Sequence, residues 1–322
     1  MKLILADVSQ FIGLGYLKLI ESSRMFLGSY YYKRDIDRML EKDMGISLFL
    51  DSGAYSAFTR NITIDIDEYI QYIKDNQKYI TQYAVLDIIG DAEGTLKNQQ
   101  YMESKGLNPI PCYHYGEATE YLKNYVSNYD YIALGGLVGS GVSEQLKFFL
   151  DETWGRFLTN KDGTAKIKVH GFGMTSVPLM KRYPWYSVDS TSWVLTGRFG
   201  GVFCNIGDYN KITISNKGNL EGASHFYQLG KHSQEIIREY FAALGEGYTI
   251  EELADDYKKR DEVNILYFLE LEKTLTENPV RFIQNQIGMF DQISQGRDKS
   301  HVVELEQVEP EPMGMKGQLS LF

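Results

Sequence analysis

Three aspartates in this 322-residue chain stand at the ends of short apolar runs, in Asp51-Ser52-Gly53-Ala54-Tyr55, Leu86-Asp87-Ile88 and Val188-Asp189-Ser190. Carboxylates brought together can displace a group at the anomeric carbon of a sugar. One attacks and holds the sugar covalently, while another moves protons. That chemistry needs no metal. The chain has no CxxC or HExxH motif, and Cys112 and Cys204 lie far apart in sequence, so neither metal nor cofactor is expected. A mononuclear site from His114, His170 and an aspartate is the alternative. The structural alternative is that each aspartate caps the next helix, a common fate for an acid at a strand end.

Three further runs end in residues of interest: Cys112-Tyr113-His114-Tyr115-Gly116, Leu134-Gly135-Gly136-Leu137 and Val169-His170-Gly171-Phe172-Gly173. Gly135-Gly136 directly after a buried strand lets a flat ligand approach the backbone, or forms a plain turn into the next helix.

These residues need a scaffold that gathers strand ends. Strands are predicted at Lys2–Ala6, Arg24–Gly28, Ile46–Leu50, Tyr83–Asp87, Pro109–His114, Tyr131–Leu134, Lys166–Gly171 and Trp185–Val188. Helix-period patterns fall between them, for example Asp65–Tyr79, Ala92–Lys105, Glu117–Val126 and Ser143–Leu158. Asp65 with Glu68 three residues on reads as a capped start. Strand-helix alternation implies parallel strands joined by right-handed crossovers. Eight of them favour an α/β fold of the (β/α)8 TIM-barrel type, whose functional groups sit at the C-terminal strand ends.

The catalytic core is expected over residues 1–198, followed by a β-hairpin and helical extension over 199–293. The hairpin strands are Phe199–Ile206 and Lys211–Ser215, with a Gly-Asp-Tyr-Asn turn between them. Helices follow near Ser233–Leu244, Thr249–Asp256, Glu262–Thr276 and Pro279–Ile293. Residues 294–322 are acidic and poor in aliphatic side chains, and read as a disordered tail.

No signal-peptide pattern and no long apolar run is seen, and two cysteines make no disulfide framework, so a soluble cytoplasmic protein is expected. The net charge of −10 argues against holding nucleic acid by overall field, though a local basic channel would still serve. The 24 tyrosines, 16 phenylalanines and 3 tryptophans suit a core or base stacking equally.

Taken in order, the motifs resemble those of the guanine transglycosylases, barrel enzymes that exchange guanine in nucleic acid for a 7-deazaguanine. Asp51-Ser52-Gly53-Ala54-Tyr55 resembles their Asp-Ser-Gly-Gly/Ser-aromatic signature, and Leu134-Gly135-Gly136-Leu137 their Gly-Gly-Leu segment. Val188-Asp189-Ser190 with Arg198 resembles their Asp-Cys-Val...Arg segment. The resemblance spans about residues 46 to 200. It implies Asp189 as nucleophile, Asp51 as acid/base and Asp87 as reader of the guanine edge, with Tyr55 and His170 sandwiching the base. It further implies His114 where the family usually has glutamine, and base contacts from Ser52, Gly53, Gly135, Gly136, Leu137 and Gly171. Arg198 would meet a phosphate or lie idle on the surface.

The cysteine cluster that holds zinc in the tRNA-modifying members is missing, and the region after residue 200 is unlike theirs. The resemblance therefore points to the DNA-modifying, DpdA-like branch found in phages and bacterial islands, which inserts 7-cyano-7-deazaguanine or a relative into DNA. Base exchange on tRNA, and a DNA glycosidase using water as acceptor, are the alternatives, with a non-catalytic clamp-binding module a third.

The segment Gln318-Leu319-Ser320-Leu321-Phe322 resembles the pentapeptide by which bacterial DNA-processing proteins bind the β sliding clamp. Two apolar side chains for a groove, a glutamine and a flexible leader make a minimal anchor. A leader of this length reaches about 25–30 Å as a flexible chain and raises the local DNA concentration to about millimolar. Such a tether would offset the acidic charge of the body.

Overall fold

The computed structural model describes residues 1–7, 15–20, 24–41, 46–137, 144–174, 176–207, 209–217 and 225–282. The tail, with Gln318–Phe322, lies outside them. Strands are β1 (Lys2–Ala6), β2 (Met25–Ser29), β3 (Ser47–Asp51), β4 (Ile80–Tyr83), β5 (Cys112–His114), β6 (Tyr131–Gly135), β7 (Lys168–Gly171), β8 (Ser187–Ser190), β9 (Gly201–Ile206) and β10 (Tyr209–Thr213). Helices through the first part are α1 (Lys33–Leu40), α2 (Ala54–Thr59), α3 (Ile66–Asp75), α4 (Ala92–Ser104), α5 (Thr119–Asn128), α6 (Glu144–Thr153), α7 (Val177–Met180) and α8 (Ser192–Arg198). The later ones are α9 (Lys231–Ala243), α10 (Ile250–Asp255) and α11 (Tyr257–Glu277).

The first eight strands form one parallel sheet in the order β4-β3-β2-β1-β8-β7-β6-β5. A parallel bridge between Ala84 and Ile110 links the segments at its two ends. There Val85 N–H donates to Ile110 O (3.0 Å) and Ile110 N–H to Tyr83 O (2.9 Å). The result is an α/β fold with a curled eight-stranded parallel sheet, consistent with a TIM-like barrel. Strand centres such as Leu3–Leu5 and Leu48–Leu50 are buried throughout, as parallel strands covered on both faces require. Asp65 caps α3 by accepting from the amides of Asp67 and Glu68, as its position predicts.

Several boundaries differ from the sequence reading for identifiable reasons. Strand β4 covers Ile80–Tyr83, not Tyr83–Asp87, because its ladder to β3 pairs Leu48 with Ile80 and Leu50 with Tyr83. The apolar run after it is buried, yet carries single bonds such as Ala84 N–H to Leu50 O (2.9 Å). Strand β5 begins at Cys112 because Pro109 and Pro111 have no N–H for a ladder, leaving Ile110 as an isolated bridge. Strand β8 covers Ser187–Ser190 because Leu3, Ile4 and Leu5 pair with Val188, Asp189 and Ser190. Asp189 thus lies inside the strand rather than after it.

The hairpin β9–β10 is antiparallel, with Tyr209 already paired to Ile206, so its turn is tighter than the four-residue one expected. Its apolar face packs with Phe226, Ile237, Phe241 and Leu253 in a second core. Helix α11 ties this core to α8: Asn264 accepts from Phe203 N–H (2.7 Å) and donates to Trp193 O (3.0 Å). Pro279–Phe282 is not helical, correcting the start of the last expected helix. Proline disfavours helix in the residue before it, and Phe282 instead donates its N–H to Gly163 O (2.9 Å) and buries its ring on Tyr183. Met1–Ile283 form one compact unit. No helix among the described residues is long and apolar enough to cross a membrane.

Candidate active site at the strand ends

The C-terminal strand ends surround a cavity of about 1000 Å³. Asp51, Asp87 and Asp189 all line it. None of them caps a helix: the N-caps of α2, α4 and α8 are Gly53, Asp91 and Thr191. The structural alternative for the three acids is therefore set aside by the chain's own capping pattern.

Asp51 ends β3 and accepts from Gly53 N–H at 3.0 Å. Gly53 takes φ +76°, and a β-carbon there would lie 2.6 Å from Tyr31 Cβ, so this turn demands glycine. Burial, and then the negative charges of Asp87 and Asp189, push the Asp51 carboxyl up to about 7. The site thus pairs a proton-holding carboxyl with two others, the division of labour that acid/base exchange requires.

Asp87 is bonded through both oxygens. Ser52 Oγ donates to Oδ1 (2.7 Å) and His114 Nε2 lies 3.0 Å from Oδ2. Ser52 is itself buried and does not line the cavity, so it acts through Asp87. His114 Nδ1 meets Glu117 Oε1 at 3.1 Å, and His114 N–H donates to Glu117 Oε2 at 3.0 Å. Burial opposes protonation of His114, but the Cys112 sulfur and the hydrogen bonds to Asp87 and Glu117 outweigh it and hold the ring cationic well above its ordinary range. Glu117 was not singled out by sequence; its signal is an acid three residues beyond His114 in the same turn.

Gly135 and Gly136 line the cavity, while Leu137 is buried away from it. The space beside Gly135 is filled by His114, not by solvent: a β-carbon there would lie 2.6 Å from His114 Cδ2. Gly136 turns the chain at φ +70°.

Asp189 is 6% exposed, and both its bonds fall on Oδ1: Gly173 N–H at 2.8 Å and His170 Nε2 at 3.2 Å. Oδ2 is the oxygen left for chemistry. His170 does not face the cavity, correcting its expected place as a stacking partner. Its ring is 0% exposed and wedged between Phe49 and Phe172, at 4.7 and 4.5 Å between centroids. Phe172 lines the cavity in its stead. Tyr55, 60% exposed, does line it, with Tyr32 and Tyr115. Gly171 is buried against Trp185, where a β-carbon would come within 3.0 Å of the indole, so it serves packing.

Arg198 does not line the cavity. It ends α8, and a helix that follows a strand runs back along the sheet, away from the strand's C-terminal end. Its charge acts on Asp261 instead. His114 and His170 are engaged by different aspartates, and among the described residues no cluster of three or more His, Cys, Asp or Glu could hold a metal ion.

The walls thus combine acceptor carboxylates, one clamped cation and exposed aromatic faces, which suit a flat ligand rich in hydrogen-bond donors. Neither the family models nor the curated proteins compared with the chain match it.

Proposed function

We propose that the chain is a DNA-guanine transglycosylase on a closed (β/α)8 barrel, exchanging guanine for a 7-deazaguanine through a covalent aspartyl-deoxyribose. The observation that carries this reading is the convergence of Asp51, Asp87 and Asp189 on one cavity, with the Asp51 carboxyl raised to about 7. The order of the motifs resembling the guanine transglycosylases supports it.

A guanine turned out of the stack, at a cost of a few kcal/mol, enters between Tyr55 and Phe172. Asp87 accepts from the N1–H and amino group of the base. Asp189 Oδ2 attacks C1′, the C1′–N9 bond breaks, and its electron pair leaves with the base, which takes the Asp51 proton. The incoming 7-deazaguanine gives its N9 proton to Asp51 and attacks C1′, and the C1′–Oδ2 bond breaks to restore the Asp189 carboxylate. DNA is favoured over tRNA by the missing cysteine cluster and by the clamp-like pentapeptide, which would tether the enzyme to the β clamp in a bacterial cytoplasm.

Incubating the full chain with labelled guanine and either duplex DNA or tRNA tests the reading. Label is expected in DNA alone, and Asp189→Ala should abolish it while circular dichroism stays unchanged. Label in tRNA instead would move the substrate to RNA. Free guanine released without incorporation would make the chain a glycosidase. Incorporation by Asp189→Ala would end the nucleophile assignment.

A further inference from the structure

Beneath Asp189 the sheet interior is polar, where barrel interiors are mostly filled by branched aliphatic side chains. His170 Nδ1 lies 2.7 Å from Ser187 Oγ, and Ser187 Oγ lies 2.6 Å from the Tyr131 hydroxyl. With the 3.2 Å contact between His170 Nε2 and Asp189 Oδ1, this makes an unbroken chain across β6, β7 and β8. Ser187 and Asp189 are two residues apart on one strand, so they share a face and bracket the imidazole. His170 and Ser187 are fully buried. Burying such groups is costly unless every one is bonded, and here each has its partner.

The chain has a direction. A carboxylate only accepts, so His170 Nε2 carries the hydrogen toward Asp189. With a neutral ring, Nδ1 accepts from the Ser187 hydroxyl, which in turn accepts from Tyr131. We propose that Tyr131, Ser187 and His170 are positioning residues that lock the His170 tautomer and fix Asp189 with Oδ2 toward the cavity. This rests on the nucleophile role given to Asp189 above. In the covalent state Oδ1 becomes the ester carbonyl oxygen, and the donors on it stabilise the carboxylate that leaves in the second displacement.

Nitrogen NMR of the full chain with labelled histidine tests the chain without substrate. In the wild type, Nε2 should be protonated and Nδ1 should be an acceptor, and Ser187→Ala should shift the Nδ1 resonance to that of an unbonded nitrogen. In base exchange, Ser187→Ala and His170→Leu should lower kcat by about 10–100-fold with KM for guanine unchanged. His170→Gln, whose amide still donates to Asp189, should recover part of the loss. A protonated Nδ1 in the wild type, an Nδ1 resonance unmoved by Ser187→Ala, or an unchanged kcat in that variant would overturn the proposal. A wild type with no base exchange would instead defeat the transglycosylase reading, and the nitrogen resonances would still decide the chain.

Discussion

The imidazole of His114 occupies the space that a side chain at Gly135 would need, for a β-carbon there would fall 2.6 Å from His114 Cδ2 and 2.9 Å from Nε2. The register of β5 on β6 sets the two residues opposite each other, so the fit belongs to the sheet itself. The missing side chain on one strand is what lets the cation on the other reach Asp87.

Gly135→Ala should therefore push His114 off Asp87. The expected cost is about 1–3 kcal/mol of stability, the usual range for overpacking a fitted interior, together with weakened binding of guanine. Urea denaturation and calorimetric titration would measure both. If the variant matched the wild type in each, the packing role of Gly135 would be refuted.

The raised carboxyl of Asp51 makes two pH dependences. It moves from an ordinary value of 3.8 to about 7, so between those values the folded protein keeps a proton that the unfolded chain has released. Stability therefore declines as pH rises from about 4 to about 7. Asp51→Asn should flatten that stretch of the stability profile. Base exchange, if protonated Asp51 is the acid, should lose rate above about 7 in the wild type. A rate that stayed level through pH 9 would remove Asp51 from that role.

Much of this site was legible because periodicity and turn chemistry survive in a single sequence. The strands that carry Asp51, His114 and Asp189 are visible as apolar runs, and the rule that function gathers at C-terminal strand ends brings the three aspartates to one cavity. What could not be read is how far below the cavity mouth a residue on the inward face sits. His170 sits on β7 with its side chain inside the sheet, bonded to Ser187 and Asp189, while Phe172 two residues later lines the cavity. Glu117 was hidden for another reason: its partnership with His114 is made by the curl of a turn, which leaves no periodic trace.

The aromatic assignment separates Tyr55 on the cavity wall from His170 in the core. Tyr55 is exposed and lines the cavity, so Tyr55→Ala should leave the melting temperature within about 1 °C while weakening guanine or oligonucleotide binding by about 5–150-fold, the value of one lost stacking contact. His170→Ala should do the reverse in stability, because it opens a hole among Phe49, Phe172 and Ser187. Thermal melts and binding isotherms on the two variants would show whether the faces are assigned correctly. Equal destabilisation of both proteins would contradict it.

The clamp on His114 makes the last prediction. Two carboxylates, Asp87 and Glu117, accept from its two ring nitrogens, and with the Cys112 sulfur they outweigh the burial that opposes its charge. The stability this gives is fully present below the ordinary histidine value near 6.5 and declines as pH climbs toward the raised one. Glu117→Gln removes one of the two anionic acceptors, so His114 should lose its proton at a lower pH than in the wild type. On the proposed reading guanine is held by Asp87, and Asp87 is oriented in part by that cation. Affinity should thus begin to fall at a lower pH in Glu117→Gln than in the wild type. Titrations at several pH values would decide it, because parallel profiles for the two proteins would mean that Asp87 is oriented by Ser52 alone.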